Sequence, residues 1–236
     1  MNYDNSAARL LALLEEGKKK PANHKCKSTW EELLQCSGDD PLLMSRLGKV
    51  MELPSQVILS LQESFPEQGD TWNHWVNQVN TAFMVQNLHA NWDSFIAHID
   101  IHTITYLKMS ASLLEQKTNT KLIAEDDLKG IREKLDSILS EVISSTGSDD
   151  VKKYLVRNLR KLIVSIDEYR LTGAFPLLDA VETSIGHAHI DKQYKSFLTD
   201  TDLGKQLLET LASIANVVTV AVGIPQLSQT IALLAN

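Results

Sequence analysis

Charge is missing from the last stretch of this chain: "TLASIANVVTVAVGIPQLSQTIALLAN", Thr210 to Asn236, contains no Asp, Glu, Lys, Arg or His. Other things are scarce as well. There are only two cysteines, Cys26 and Cys36, and no CxxC, so no disulfide framework is available and a reducing compartment is expected. Proline and glycine number 6 and 10 in 236 residues. Alternating Val/Ile/Thr runs bounded by Asn-Gly turns are missing, which argues against a large antiparallel sheet. The N-terminus, MNYDNSAARLLALLEE, puts an acid ahead of a short apolar stretch and offers no small-residue cleavage site, unlike a secretory signal. A cytoplasmic location, or one peripheral to a membrane, is expected.

The short motifs of common chemistries are missing too. GxSxG, the P-loop pattern and GxGxxG do not occur. No arginine is followed closely by a histidine, which removes one helical ribonuclease pattern. No cofactor and no small-molecule substrate are evident, and an enzyme is not indicated. The net charge of −7 disfavours broad nonspecific binding to nucleic acid.

What remains is rich in helix formers. The composition, 43% apolar and 22% charged, is that of a globular protein. Ser28 followed by Glu31 reads as a capping box, and Pro41 suits a first helical turn. Pro54 is expected to break the next helix, and Phe65–Thr71, "FPEQGDT", to act as a linker. From Trp72 to about Lys117 there is neither proline nor glycine. There Phe95, Ile99, His102, Tyr106, Met109 and Leu113 recur at steps of four and three, one face of a long helix. Further helices are expected around Ile131–Val142, Val151–Tyr169, Pro176–Gly186 and Tyr194–Leu198, and again from Thr201. The fold class is all-α: a multi-helix bundle built on one long helix (about 72–117), with a small N-terminal helical domain over 1–66 and a larger bundle over 71–236.

"IDEYRLTGAFPLLDAVETSIG", Ile166–Gly186, resembles segments of uncharacterised bacterial helical proteins. That resemblance covers a small part of the chain and implies a bacterial origin but no activity and no residue roles.

Four features carry the functional reading. First, His98 and His102, four apart, are candidate metal ligands, with His187 and His189 as further imidazoles; His24, Cys26 and Cys36 form a weaker zinc alternative. Packed, hydrogen-bonded histidines and ordinary thiols are the alternative in each case. Second, "VKKYLVRNLRKL" holds Lys152, Lys153, Arg157, Arg160 and Lys161 with no acid among them, a solvated face or a patch for an anionic partner. Third, Lys18, Lys19, Lys20, Lys25 and Lys27 form a basic N-terminal loop beside "LGKVMELPSQVILSL", which has the outline of a helix–turn–helix. Its second helix lacks Lys and Arg, so nucleic acid is an unfavoured partner.

The fourth feature is the uncharged C-terminal segment with its apolar residues Leu211, Ile214, Val217, Val218, Val220, Val222, Ile224, Leu227, Ile231, Leu233 and Leu234. Spanning a membrane takes about 20 consecutive apolar residues. Here Asn216 and Pro225 interrupt the run, and Asp202, Gln206, Glu209, Ser213, Asn216 and Thr219 line up as a polar stripe with Gly223 continuing it. A helix buried on most sides, with one wet edge, looks like this. The leading expectation is therefore a non-enzymatic helical protein acting through protein–protein contacts, with another protein or a second copy. The alternatives are a membrane-active effector whose segment 210–236 enters the bilayer, and a nucleic-acid-binding module.

Overall fold

Helix α1, Ser6–Lys18, is apolar almost all round: Ala7, Ala8, Leu10, Leu11, Leu13 and Leu14 are all buried. A helix buried on every side belongs at the centre of a bundle, and α1 lies against both α3 (Asp40–Ser64) and α6 (Ile101–Lys117). Asn5 starts it, accepting from the Ala8 N–H at 2.9 Å and donating to the Ala111 carbonyl at 3.2 Å. The computed structural model describes residues 4–117, 120–145 and 149–223, which form twelve α-helices and, among the described residues, no strand. The chain is thus all-α. It divides into two compact units, Met1–Asn119 and Thr120–Asn236.

In the first unit α2 (Cys26–Leu33), α4 (Asn73–Val85) and the single turn α5 (Asp93–Ile96) complete the set. Three expectations fail here. Pro54 does not break α3, which runs unbroken past it. Val50, Leu53, Val57 and Leu61 are buried at helical spacing on both sides of it, and that burial outweighs the about 3 kcal/mol that an interior proline costs. The Ser28 capping box does not form, because α2 starts earlier, at Cys26, with Lys25 in the cap position.

The single long helix over 72–117 is also absent: α4, α5 and α6 replace it. The break has a cause. Backbone groups of 88–93 pair with the loop at 22–27, with Cys26 N–H on Ala90 O (3.0 Å) and Trp92 N–H on His24 O (2.7 Å). The Trp92 indole N–H donates to Gly17 O at 2.9 Å, and its ring packs with Trp30 and Phe95, each 5.0 Å away. Asn87 also satisfies local backbone, taking the His89 N–H at 3.0 Å. The helices flanking Phe65–Thr71 lie in one unit, so the division of the chain falls at 119/120 rather than at 66–71.

The second unit contains α7 (Glu125–Ser144), α8 (Asp149–Asp167), the turn α9 (Tyr169–Thr172), α10 (Phe175–Ile190), α11 (Lys192–Asp200) and α12 (Asp202–Val222). α8 packs on α7 and α10, and α12 packs on α7, α10 and α11. One apolar cluster joins them, including Leu135, Leu155, Leu159, Leu162, Leu177, Val181, Leu207, Leu211, Ile214 and Val218. The α11–α12 corner is tight. Thr201 caps α12 through the Gly204 N–H at 2.9 Å, and a Cβ on Gly204 would stand 1.9 Å from the Phe197 carbonyl oxygen.

The start of the apolar C-terminal segment is therefore placed. Leu207, Leu208, Leu211, Ile214, Ala215, Val218 and Ala221 face the core, while Asp202, Gln206, Glu209 and Asn216 are exposed and Ser213 is half-buried. The wet stripe departs from expectation at one step: Thr219 is buried and Val220, 74% exposed, takes its place. Gly223 ends the helix in the left-handed region (φ 76), its N–H reaching Thr219 O at 2.8 Å. Ile224, Leu227, Ile231, Leu233 and Leu234 lie outside the described residues. No helix among the described residues is long and apolar enough to cross a membrane.

Candidate functional site

α8 is the most strongly two-faced helix of the second unit. Val151, Leu155, Leu159, Leu162 and Ile166 are buried along one side, as their spacing requires. Lys153, Arg157, Arg160 and Lys161 are exposed on the other. Lys153 has only a 3.9 Å approach to the exposed Asp150. Arg160 and Lys161 have no ion-pair partner among the described residues. Lys152 falls off this face: it is half-buried and donates to the Ser145 carbonyl at 3.1 Å. Arg132, by contrast, is matched: it holds Asp167 at 2.7 Å as well as Asp136.

Two further side chains shape the face. Val164, one turn beyond Arg160 and Lys161, is 48% exposed and lies between their directions. At the edge stands Tyr154, with the Arg157 guanidinium 5.6 Å from its ring centre. Tyr154 is stiffened from behind. His187 of α10 stacks on it with ring centres 3.6 Å apart, and the Tyr194 ring meets it edge-on at 4.9 Å. His187 Nε2 lies 3.4 Å from Asp191, which caps α11 by accepting the Gln193 and Tyr194 N–H groups. Those bonds, the Tyr194 one foremost, hold the Asp191 carboxyl below its usual value. Burial pushes the Tyr154 phenol up, and the Tyr194 phenol, paired with Ser184 Oγ at 2.6 Å, far more so. The arrangement offers a fixed cationic face with an apolar spot and an aromatic edge.

The candidate metal pair does not lie on one helix as expected. His98 sits in the turn before α6 and His102 on its first turn, exposed, so they do not share one helix face. The phase resets at Ile101, and α6 buries Thr103, Leu107, Ser110, Ala111 and Leu114, leaving His102, Tyr106 and Met109 outside. A different histidine has entered: His74 of α4 reaches Asp100 at 3.2 Å, and its ring lies 6.3 Å from that of His102 and 5.6 Å from Tyr106. Nothing in the sequence linked His74 to Asp100, because the contact depends on how α4 meets α6. His187 and His189 belong to the second unit. Among the described residues no three His, Cys, Asp or Glu side chains gather as metal ligands. Cys26 and Cys36 are both buried and unpaired.

In the basic N-terminal loop, Lys20 pairs with Glu32 and Lys27 with Asp40, both at 2.6 Å. Lys18, Lys19 and Lys25 stay exposed. The helix–turn–helix beside them is not formed, since "LGKVMELPSQVILSL" is a single continuous stretch of α3. No family model, curated protein or solved structure matches this chain.

Proposed function

We propose that this is a non-enzymatic helical protein that acts by binding another protein, and that the outer face of α8 receives an acidic segment of that partner. The observation that carries this reading is the cluster of Arg157, Arg160 and Lys161, none in an ion pair among the described residues, around a half-exposed Val164 in a chain of net charge −7. Protein interfaces favour an apolar centre ringed by polar groups, with arginine and tyrosine enriched. A surface for phosphate backbones needs only the cations. Burial of the apolar side of α12, Leu207 to Ala221, in the unit's own core supports a protein partner over a bilayer.

The test is titration of a fluorescent acidic helical peptide, duplex DNA and anionic vesicles onto the parent protein and onto the Arg157→Glu/Arg160→Glu/Lys161→Glu variant. The peptide is expected to bind in a salt-sensitive way, with at least about tenfold weaker binding to the variant. Equal peptide binding by both proteins, or stronger uptake of DNA or vesicles than of peptide, contradicts the reading.

A further inference from the structure

Away from that face, the first turns of α8 and the outer side of α11 enclose an open groove of about 510 Å³. This lies within the usual ligand-site range of roughly 300–1,000 Å³. Val151 and Leu155 of α8 and the half-buried Phe197 of α11 supply its apolar wall. Lys152 and Lys192 also line it.

The charges are unevenly satisfied. Asp200, the acid of the groove, already accepts from the Ser196 hydroxyl and from Thr199 Oγ1 (2.8 Å), bonds that lower its carboxyl's pKa. Lys192 has no ion pair among the described residues, and Lys152 has only a backbone carbonyl. What the groove leaves uncomplemented is therefore apolar surface plus positive charge. Its α11 side runs from Lys192 to Thr201, about 13 Å of helix, close to the extended length of a chain of about ten carbons.

We propose that this groove binds a free medium-chain fatty acid, its carboxylate held by Lys192 and Lys152 and its chain laid along Val151, Leu155 and Phe197. The inference is independent of the α8 docking face, which shares none of these residues.

Dansylated undecanoic acid, added to the full chain, tests it. Saturable one-to-one binding is expected, weakened at least about tenfold by Lys192→Glu and to a similar degree when an uncharged dansyl undecyl amide replaces the acid. Lys192 is exposed, so that variant keeps its fold, which a thermal melt checks. The Arg157→Glu/Arg160→Glu/Lys161→Glu variant is expected to bind the probe like the parent. No saturable binding up to about 100 μM, about 5.5 kcal/mol, overturns the proposal. So does equal binding of acid and amide, or indifference to Lys192→Glu. Displacement of the probe by the acidic peptide, with peptide binding lost in Lys192→Glu, overturns it in favour of a peptide groove.

Discussion

Single side chains carry more of this structure than their polarity suggests. Tyr194 is fully buried, and its hydroxyl and that of Ser184 have each other as partners at 2.6 Å. Removing one leaves the other buried and unpaired, which costs about 1–3 kcal/mol. Tyr194→Phe and Ser184→Ala are each expected to lower stability by that amount, and the double variant by little more than either alone. A urea-denaturation cycle reads this directly; additive losses contradict it.

Asp100 is a second case. The Thr103 N–H at 2.6 Å, helped by His74, holds its carboxyl down to about 2. A carboxyl whose folded value lies below its unfolded one, about 3.9, stabilises fully above that value and loses the contribution as pH falls toward about 2. Asp100→Ala is expected to cost about 1 kcal/mol near neutral pH. The gap to the parent should close as acid is added below about pH 4. A gap that is constant with pH contradicts the assignment. Neither contact was legible in the sequence: Ser184–Tyr194 joins α10 to α11 and His74–Asp100 joins α4 to the residue before α6, and spacing along one helix says nothing of its neighbour.

The elements were more readable than the contacts, because periodicity is local. α7, α8 and α12 bury nearly the side chains their spacing marks, and the wet stripe of α12 slips only at its last step, from Thr219 to Val220. Where the reading failed, a distant partner had intervened. α3 crosses Pro54 because buried residues flank it, and the expected long helix is interrupted between α4 and α6 because the loop at 22–27 and the Trp30–Trp92–Phe95 cluster claim that stretch. The α11–α12 corner gives the sharpest prediction at this scale. Gly204→Ala forces a Cβ onto the Phe197 carbonyl. It is expected to cost about 1–3 kcal/mol or more. Gly130→Ala, where a Cβ meets nothing within 4 Å in the interior of α7, is expected to gain about 0.5–1 kcal/mol. Thermal melts of the two variants should move in opposite directions.

Each unit has its own core, and in the second α12 is part of it. Burying Leu207, Leu211, Ile214 and Val218 contributes about 1.5–3 kcal/mol per side chain as an upper estimate. Together they rival the whole stability of a typical domain, about 5–15 kcal/mol. A chain ending at Lys205 is therefore expected to lose the cooperative unfolding that the second unit shows in the full chain, which calorimetry reads; an unchanged transition contradicts it. The candidate site was half legible. The run of Lys and Arg in α8 showed the charge, but only the bundle shows that Arg160 and Lys161 stay unmatched, that Val164 lies among them and that His187 braces Tyr154.

The most direct measurement places a photo-crosslinking residue at Val164 in the full chain inside its native cells. A covalent product with one protein through a segment rich in Asp and Glu is expected, abolished by Arg157→Glu/Arg160→Glu/Lys161→Glu. Crosslinks to nucleic acid or lipid, or a protein product indifferent to that charge reversal, would contradict it.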